Sequence, residues 1–175
     1  MSANTEFVRL MCQDDLDMVR NWRNHPDVRK FMYTNHEISA DEHSTWFSKA
    51  TCEPKRHLLI YELQNQPMGF INLHQISDGG IADWGFYLAP DAKPGTGAKM
   101  GLCALDYAFT TADFHKICGQ AIAYNERSSN FHLKLNFRKE GILREQHFDG
   151  ARYHDVICFG LLKDEWNNNN KEAAL

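Results

Sequence analysis

One segment limits the architecture more than any other. Tyr87-Leu88-Ala89-Pro90-Asp91-Ala92-Lys93-Pro94-Gly95-Thr96-Gly97-Ala98 runs from a strand pattern, through a loop dense in Pro and Gly, straight into a helical one. The periodicity predicts a helix from about Gly97 to Ala112, with Met100, Ala104, Tyr107 and Ala108 on one face and Cys103 close by. N–H groups at such a helix start have no intrahelical partner, and the helix dipole adds partial positive charge, so the loop suits a phosphate or pyrophosphate. A tight strand-to-helix turn without any ligand has the same local sequence. The context narrows the choice. Before the loop come three strand-like runs, His57–Leu63, Met68–Ile76 and Ile81–Leu88, separated by turn signals at Asn65-Gln66-Pro67 and Asp78-Gly79-Gly80. That is an antiparallel meander feeding a phosphate-type loop.

The remaining elements complete a mixed α/β chain. Phe7–Leu10 reads as a short strand and Asp14–Trp22 as a helix with Leu16, Met18, Val19 and Trp22 on its apolar side. His25-Pro26 ends it. Ser39 is placed to cap a second helix, with Glu42 three residues on to complete a capping box, and Trp46 and Phe47 on its apolar side. After the glycine loop and its helix, Ile117–Ala123 reads as a strand and Glu126–Leu135 as a helix, with Asn136 as its left-handed end. Strands around Gly141–Phe148 and Tyr153–Leu162 flank an Asp149-Gly150 hairpin turn. The order is β-α-α-β-β-β-α-β-α-β-β. One domain over residues 1–166 is expected, and the Asn-rich segment 167–175 reads as a disordered tail.

Composition excludes several function classes. Of 175 residues, 19 are Lys or Arg and 23 are Asp or Glu, a formal net charge of −4. A mildly acidic chain lacks the basic face that nucleic acid requires. No apolar run approaches the roughly 20 residues needed to span a bilayer, and the start of the chain has no signal-peptide pattern. Cytoplasmic residence without nucleic-acid or membrane partners is the expectation. The five cysteines contain no Cys-x-x-Cys pair, and the nine histidines no His-Glu-x-x-His, so no metal site is expected and the thiols read as reduced and mostly buried.

Three ligand classes could use the glycine loop. A nucleoside triphosphate site needs Gly-Lys-Ser or Gly-Lys-Thr, but Ala98-Lys99-Met100 stands here. A dinucleotide fold needs Gly-x-Gly-x-x-Gly in a first βαβ unit, and here a meander comes first and Met100 replaces the third glycine. The pyrophosphate of coenzyme A is the third class.

With these residues the chain resembles the GCN5-related N-acetyltransferases. Gly95-Thr96-Gly97 falls where that family has Arg/Gln-x-x-Gly-x-Gly/Ala; Ala92 departs from the Arg/Gln position and Lys93 stands beside it. Asn125-Glu126-Arg127-Ser128 through Phe131-His132 to Leu135-Asn136-Phe137 resembles the family's Asn-x-x-Ala/Ser…Tyr…Leu-Gly-Phe segment, with His132 in place of the tyrosine. Arg23-Asn24-His25-Pro26, Phe31-Met32-Tyr33, His43-Ser44-Thr45-Trp46-Phe47 and Tyr153-His154-Asp155-Val156 are similar to the PseH/FlmH-type subgroup. That subgroup acetylates the 4-amino group of a UDP-linked 4-amino-4,6-dideoxy sugar on the way to pseudaminic acid and flagellin glycosylation.

The resemblance implies acetyl-CoA as cosubstrate, no metal, and direct attack of the amine on the thioester. It implies that Phe86, Tyr87 and Leu88 pair with pantetheine, that Lys93, Gly95, Thr96, Gly97 and Ala98 hold the pyrophosphate, and that Asn125 and Ser128 complete the cofactor contacts. His132 takes the position of the general acid, with packing as its alternative role. Arg23, His43, His74, Gln75 and Tyr87 are candidates for the acceptor, Arg23 through charge-assisted bonds to a diphosphate. His74 and Glu126 are candidates to hold a water that acts as base; Arg29 and Trp46 are weaker acceptor candidates. Ribosomal-protein, other protein or small-amine acetylation, and a non-catalytic acyl-CoA-binding module, remain alternatives. An exposed strand edge near the C-terminus is a candidate homodimer surface.

Overall fold

The computed structural model describes the backbone of residues 5–173 and the side chains through Asn168. Among the described residues seven strands hydrogen-bond in the order β1-β2-β3-β4-β5-β7-β6. They are β1 (Glu6–Leu10), β2 (Arg56–Leu63), β3 (Gln66–Ser77), β4 (Ile81–Leu88), β5 (Lys116–Ile122), β6 (Arg138–Phe148) and β7 (Tyr153–Leu162). The helices are α1 (Leu16–Asn24), α2 (Pro26–Arg29), α3 (Ala40–Ala50), α4 (Thr96–Asp106), α5 (Glu126–Lys134) and α6 (Lys163–Ala173). The expected mixed α/β order is present, with α2 and α6 added. Among the described residues no helix is long and apolar enough to cross a membrane.

The chain forms two compact units. The first comprises residues up to His74 together with Gly85–Tyr107. Here β1 pairs antiparallel with β2, and β2 with β3. Gln64 and Asn65 both have positive φ, so a two-residue hairpin turn joins β2 to β3, tighter than the Asn65-Gln66-Pro67 turn expected. Val19, Trp22, Phe47, Leu58, Ile60 and Phe70 form the core between this sheet and α1 and α3. Truncating one of the buried aromatics to Ala should cost about 3–5 kcal/mol. Ser39 caps α3 by accepting the Glu42 N–H at 3.2 Å. Only half of the expected capping box forms, because the Glu42 carboxylate is taken by His36 Nε2 at 2.9 Å. Arg9 ties the unit's edge together. It grips Asp15 with two bonds of 2.7 and 2.9 Å and reaches Glu62 at 2.6 Å. The Arg9 guanidinium holds the Asp15 carboxyl below its ordinary range.

The second unit comprises Gln75–Trp84 and the chain from Ala108 onward. Within it β4 and β5 share a parallel ladder limited to Ile81–Asp83 against Lys116–Cys118, and both strands continue beyond it. On its other side β5 pairs antiparallel with β7 along Lys116–Ile122. Asn136, with φ of +64°, ends α5 as expected: the Phe137 N–H reaches the His132 carbonyl and the Asn136 N–H the Leu133 carbonyl. Asp149 takes the N–H groups of Ala151 and Arg152, which closes the β6–β7 turn. The helix expected to Ala112 instead ends at Asp106 and gives way to a wider π turn over Tyr107–Thr111.

Two further expectations differ. Helix α6 runs through Asn167–Asn170, with Asp164 and Glu165 complementing the dipole in its first turn and Trp166 packed on Phe109. Residues 174 and 175 of the expected tail lie outside the described residues. None of the five cysteines is fully buried: Cys12 and Cys52 are exposed, and Cys103, Cys118 and Cys158 are half-buried.

Candidate active site

The glycine loop behaves as its sequence requires. Gly95 caps α4 with φ of +91°, a left-handed conformation that favours glycine, and a Cβ there would meet nothing. The cap has no side-chain hydrogen bond and the first turn of α4 carries no acid. Thr96 is buried and its N–H closes the loop onto the Lys93 carbonyl at 3.1 Å. Gly97 is half-buried; Ala98 and Lys93 are exposed. Lys99 is held by Glu6, which leaves Lys93 as the loop's available cation. Open N–H groups, a lysine and a first helical turn without an acid fit a diphosphate such as that of coenzyme A. Gly69 matters for packing, since a Cβ there would collide with Met100 Sδ and hold α4 off the sheet.

Phe86, Tyr87 and Leu88, at the end of β4, are all half-buried. The Tyr87 ring lies 5.1 Å from Phe70, which takes the edge of Trp46, which in turn stacks on His43 at 5.0 Å. Burial pushes the Tyr87 phenol up; the charge of Arg23 opposes this in part.

Arg23 and His43 are brought into one neighbourhood by α1 and α3. Arg23 Nη2 donates to the Thr34 carbonyl at 2.6 Å, but its Nη1 is buried without a hydrogen-bond partner. His43 is 5% exposed, and its Nδ1 also lacks a partner. Burial, then the nearby charge of Arg20, lowers the His43 pKa. Arg20 itself has a buried, unpartnered Nε. Each such group costs about 1–3 kcal/mol unless something pairs with it. Sequence reasoning missed Arg20, although its spacing of three from Arg23 puts both on one face of α1. The flanking residues serve to hold the backbone. Asn24 exchanges two 2.8 Å bonds with the Ile38 backbone, and His25 Nδ1 accepts the Asp27 N–H. Together they fix the loop after α2. Arg29 is 3.8 Å from Glu37.

His74 stands apart from that group. Arg56 Nη2 lies 2.9 Å from its Nδ1 and Glu53 Oε2 lies 3.1 Å from its Nε2. Arginine can only donate, so Nδ1 accepts and Nε2–H donates to Glu53. Both ring nitrogens are engaged, which leaves neither for the water-holding role expected of this residue. Gln75, next to it, is half-buried, and Glu126 is exposed in the first turn of α5.

His132 is similarly locked. It is 1% exposed. Trp84 Nε1–H donates to its Nε2 at 3.0 Å, and its Nδ1 is 2.7 Å from the Ser128 carbonyl. Tryptophan can only donate, so Nε2 is bare and the single proton sits on Nδ1. Its ring stacks on Phe159 at 4.7 Å. Burial pushes its pKa down to about 4. A Cβ at Gly119 would collide with its Nε2 and lie 2.7 Å from Trp84 Nε1, so this glycine permits the pairing. Asn125 Oδ1 accepts the Ser128 N–H at 3.1 Å as the N-cap of α5. The second motif is thus a self-contained hydrogen-bonded strut, and Trp84 is the partner that its sequence did not disclose.

Comparison with known proteins agrees with this architecture. A family model described as an acetyltransferase (GNAT) domain matches residues 7–138. The uncharacterized N-acetyltransferase YokL from the SPbeta prophage of Bacillus subtilis is 29% identical over 75% of this chain and 76% of its own. Spermidine N(1)-acetyltransferase of Vibrio cholerae is 25% identical over 94% of this chain and 96% of its own, and its crystal structure with CoA and spermine superposes with a TM-score of 0.85, covering 93% of this chain and 98% of that one. At 24% identity that superposition shows the fold. Acetyltransferase PseH of Campylobacter jejuni is 25% identical over 75% of this chain and 81% of its own. The chain belongs to the GNAT acetyltransferase family and is an acetyl-CoA-dependent N-acetyltransferase.

Proposed function

We propose that this enzyme acetylates the 4-amino group of a UDP-linked 4-amino-4,6-dideoxy sugar, as in the cytoplasmic synthesis of pseudaminic acid for flagellin. The observation that carries the reading is the buried, unpartnered Nη1 of Arg23. A guanidinium N–H without an acceptor asks the ligand for an oxygen, and a diphosphate supplies several. Arg20 Nε–H asks for the same. Spermidine, a polycation, offers them nothing.

Acetyl-CoA, when bound, supplies the activated acetyl thioester. Lys93 and Gly95–Ala98 would hold its phosphates, and the main chain of Phe86–Leu88 its pantetheine amides. Arg23, His43 and Arg20 anchor the acceptor by its anionic end, so that its amine is presented rather than searched for, a gain that can reach several orders of magnitude in rate. His132 keeps its proton on Nδ1, which donates to the Ser128 carbonyl, and serves as a strut for α5. We therefore assign it a structural role in place of general acid.

A second reading has its own support. The spermidine acetyltransferase similarity spans 94% of this chain. A groove of about 460 Å³ between α1 and α3 also carries Asp14, Asp17 and Asp41, which suit a polyamine. Initial rates on the UDP-4-amino sugar, spermidine and a peptide separate the readings. The nucleotide sugar should be acetylated with the highest kcat/KM, and Arg23→Ala should raise its KM about 10–100-fold while leaving that of acetyl-CoA in place. Preference for spermidine, or an Arg23→Ala effect on acetyl-CoA instead, would overturn the assignment.

A further inference from the structure

The unpartnered groups of the first unit are not all donors. Asn72 Oδ1, on β3, is a buried acceptor without a hydrogen-bond partner. Its location is defined by strand geometry. Asn72 pairs across to Leu58 on β2, and Phe70, two residues earlier, pairs with Ile60. Leu58, Ile60 and Phe70 all belong to the core facing α1 and α3. Side chains alternate along a strand, so Asn72 projects from that same face. On β4 the Phe70 ring meets Tyr87, and the Ala89 N–H bonds the Met68 carbonyl. Asn72 lies two residues along β3 from Phe70, and Gly85 two residues along β4 from Tyr87, so each is one step beyond the Phe70–Tyr87 contact on that face. Gly85 has an ordinary φ, is exposed, and a Cβ there would meet nothing. The surface at Gly85 is thus open, on the face that carries Tyr87.

We propose that Asn72 holds the acceptor amine, its side-chain oxygen accepting an N–H from the nitrogen that is acetylated. The inference rests on the amine-acceptor part of the proposed function and not on the diphosphate. Whatever group stands at the acceptor's other end, Asn72 presents a carbonyl oxygen, an acceptor, to its amine. An N–H held this way fixes the direction of the nitrogen lone pair, which orients attack without covalent chemistry at Asn72. The unpaired oxygen lowers stability when no ligand is present, so its removal should stabilise the free protein.

The test uses Asn72→Leu and Asn72→Asp in the full chain, assayed on whichever amine the wild-type enzyme acetylates fastest. Leu keeps the volume and removes the acceptor; Asp keeps an acceptor oxygen. Asn72→Leu should lower kcat at least tenfold, leave the KM of acetyl-CoA unchanged, and melt at or above the wild-type temperature. Asn72→Asp should recover most of the lost kcat. Unchanged kcat in Asn72→Leu, or equal losses in both variants, overturns the assignment. If the wild type prefers spermidine, the nucleotide-sugar reading falls while the Asn72 test proceeds on spermidine, so the two failures are distinguishable.

Discussion

Arg23 and His132 both occupy motif positions, and the structure treats them in opposite ways. In the first unit the protein leaves polar atoms unpaired, among them Arg23 Nη1, Arg20 Nε, His43 Nδ1 and, on β3, Asn72 Oδ1. Around His132 the ring is fully engaged, since Trp84 and the Ser128 carbonyl take both nitrogens. A satisfied buried network gives rigidity, whereas an unsatisfied one is costly until a ligand completes it. Burial alone therefore does not mark a working residue.

The largest effect should come from acid. His132 has a folded-state pKa of about 4 against 6.5 for an unperturbed histidine. Its neutral form belongs to the folded state, so the unfolded chain takes up the proton first as pH falls. Stability linked to His132 is intact above pH 6.5 and declines between about pH 6.5 and 4, by about 3 kcal/mol in all. Denaturant melts across that window should show the slope in the wild type and a reduced slope in His132→Phe. An unchanged slope would mean that His132 is not held neutral. Asp15 acts the same way at lower pH: its depressed pKa means that its ion pair stabilises above the usual carboxylate range and is lost as pH falls below it.

Next comes Gly119→Ala. The added Cβ should separate Trp84 from His132 and cost about 2–3 kcal/mol of stability, read by urea denaturation. Wild-type stability in this variant would show that the strut is slack. On the other side of the comparison, Arg20→Gln should raise the acceptor KM about threefold to tenfold, less than Arg23→Ala, because Arg20 also commits a bond of 3.4 Å to Asp17. An acetyl-CoA effect from Arg20→Gln would move this residue out of the acceptor group.

Much of the fold was legible because it is written locally. Ser39 as a cap, Asn136 as a left-handed helix end and Asp149-Gly150 as a turn each depend on a few neighbouring residues. The exceptions arise where distant packing prevails. The helix expected to Ala112 changes to a π turn at Tyr107, whose hydroxyl lies 3.0 Å from Nδ1 of His57, fifty residues away. Helix α6 forms through an Asn run whose composition suggested a tail, anchored by Trp166 on Phe109. The site divides along the same line. Arg23 and the glycine loop were visible in motifs, whereas Asn72 was not, because alternation places a side chain on a face without saying whether a partner meets it. Trp84 and His132 are 48 positions apart, so the bond that locks the imidazole had no signature in either segment.

Long-range proton–nitrogen NMR of the histidine rings, with and without UDP, from pH 5 to 8, probes both sides of this contrast at once. His43 resonances should shift on addition of UDP. His132 should remain a neutral Nδ1–H tautomer throughout and be unmoved by the nucleotide. Titration of His132 near pH 6.5, or a UDP response at His132 with none at His43, would overturn both assignments.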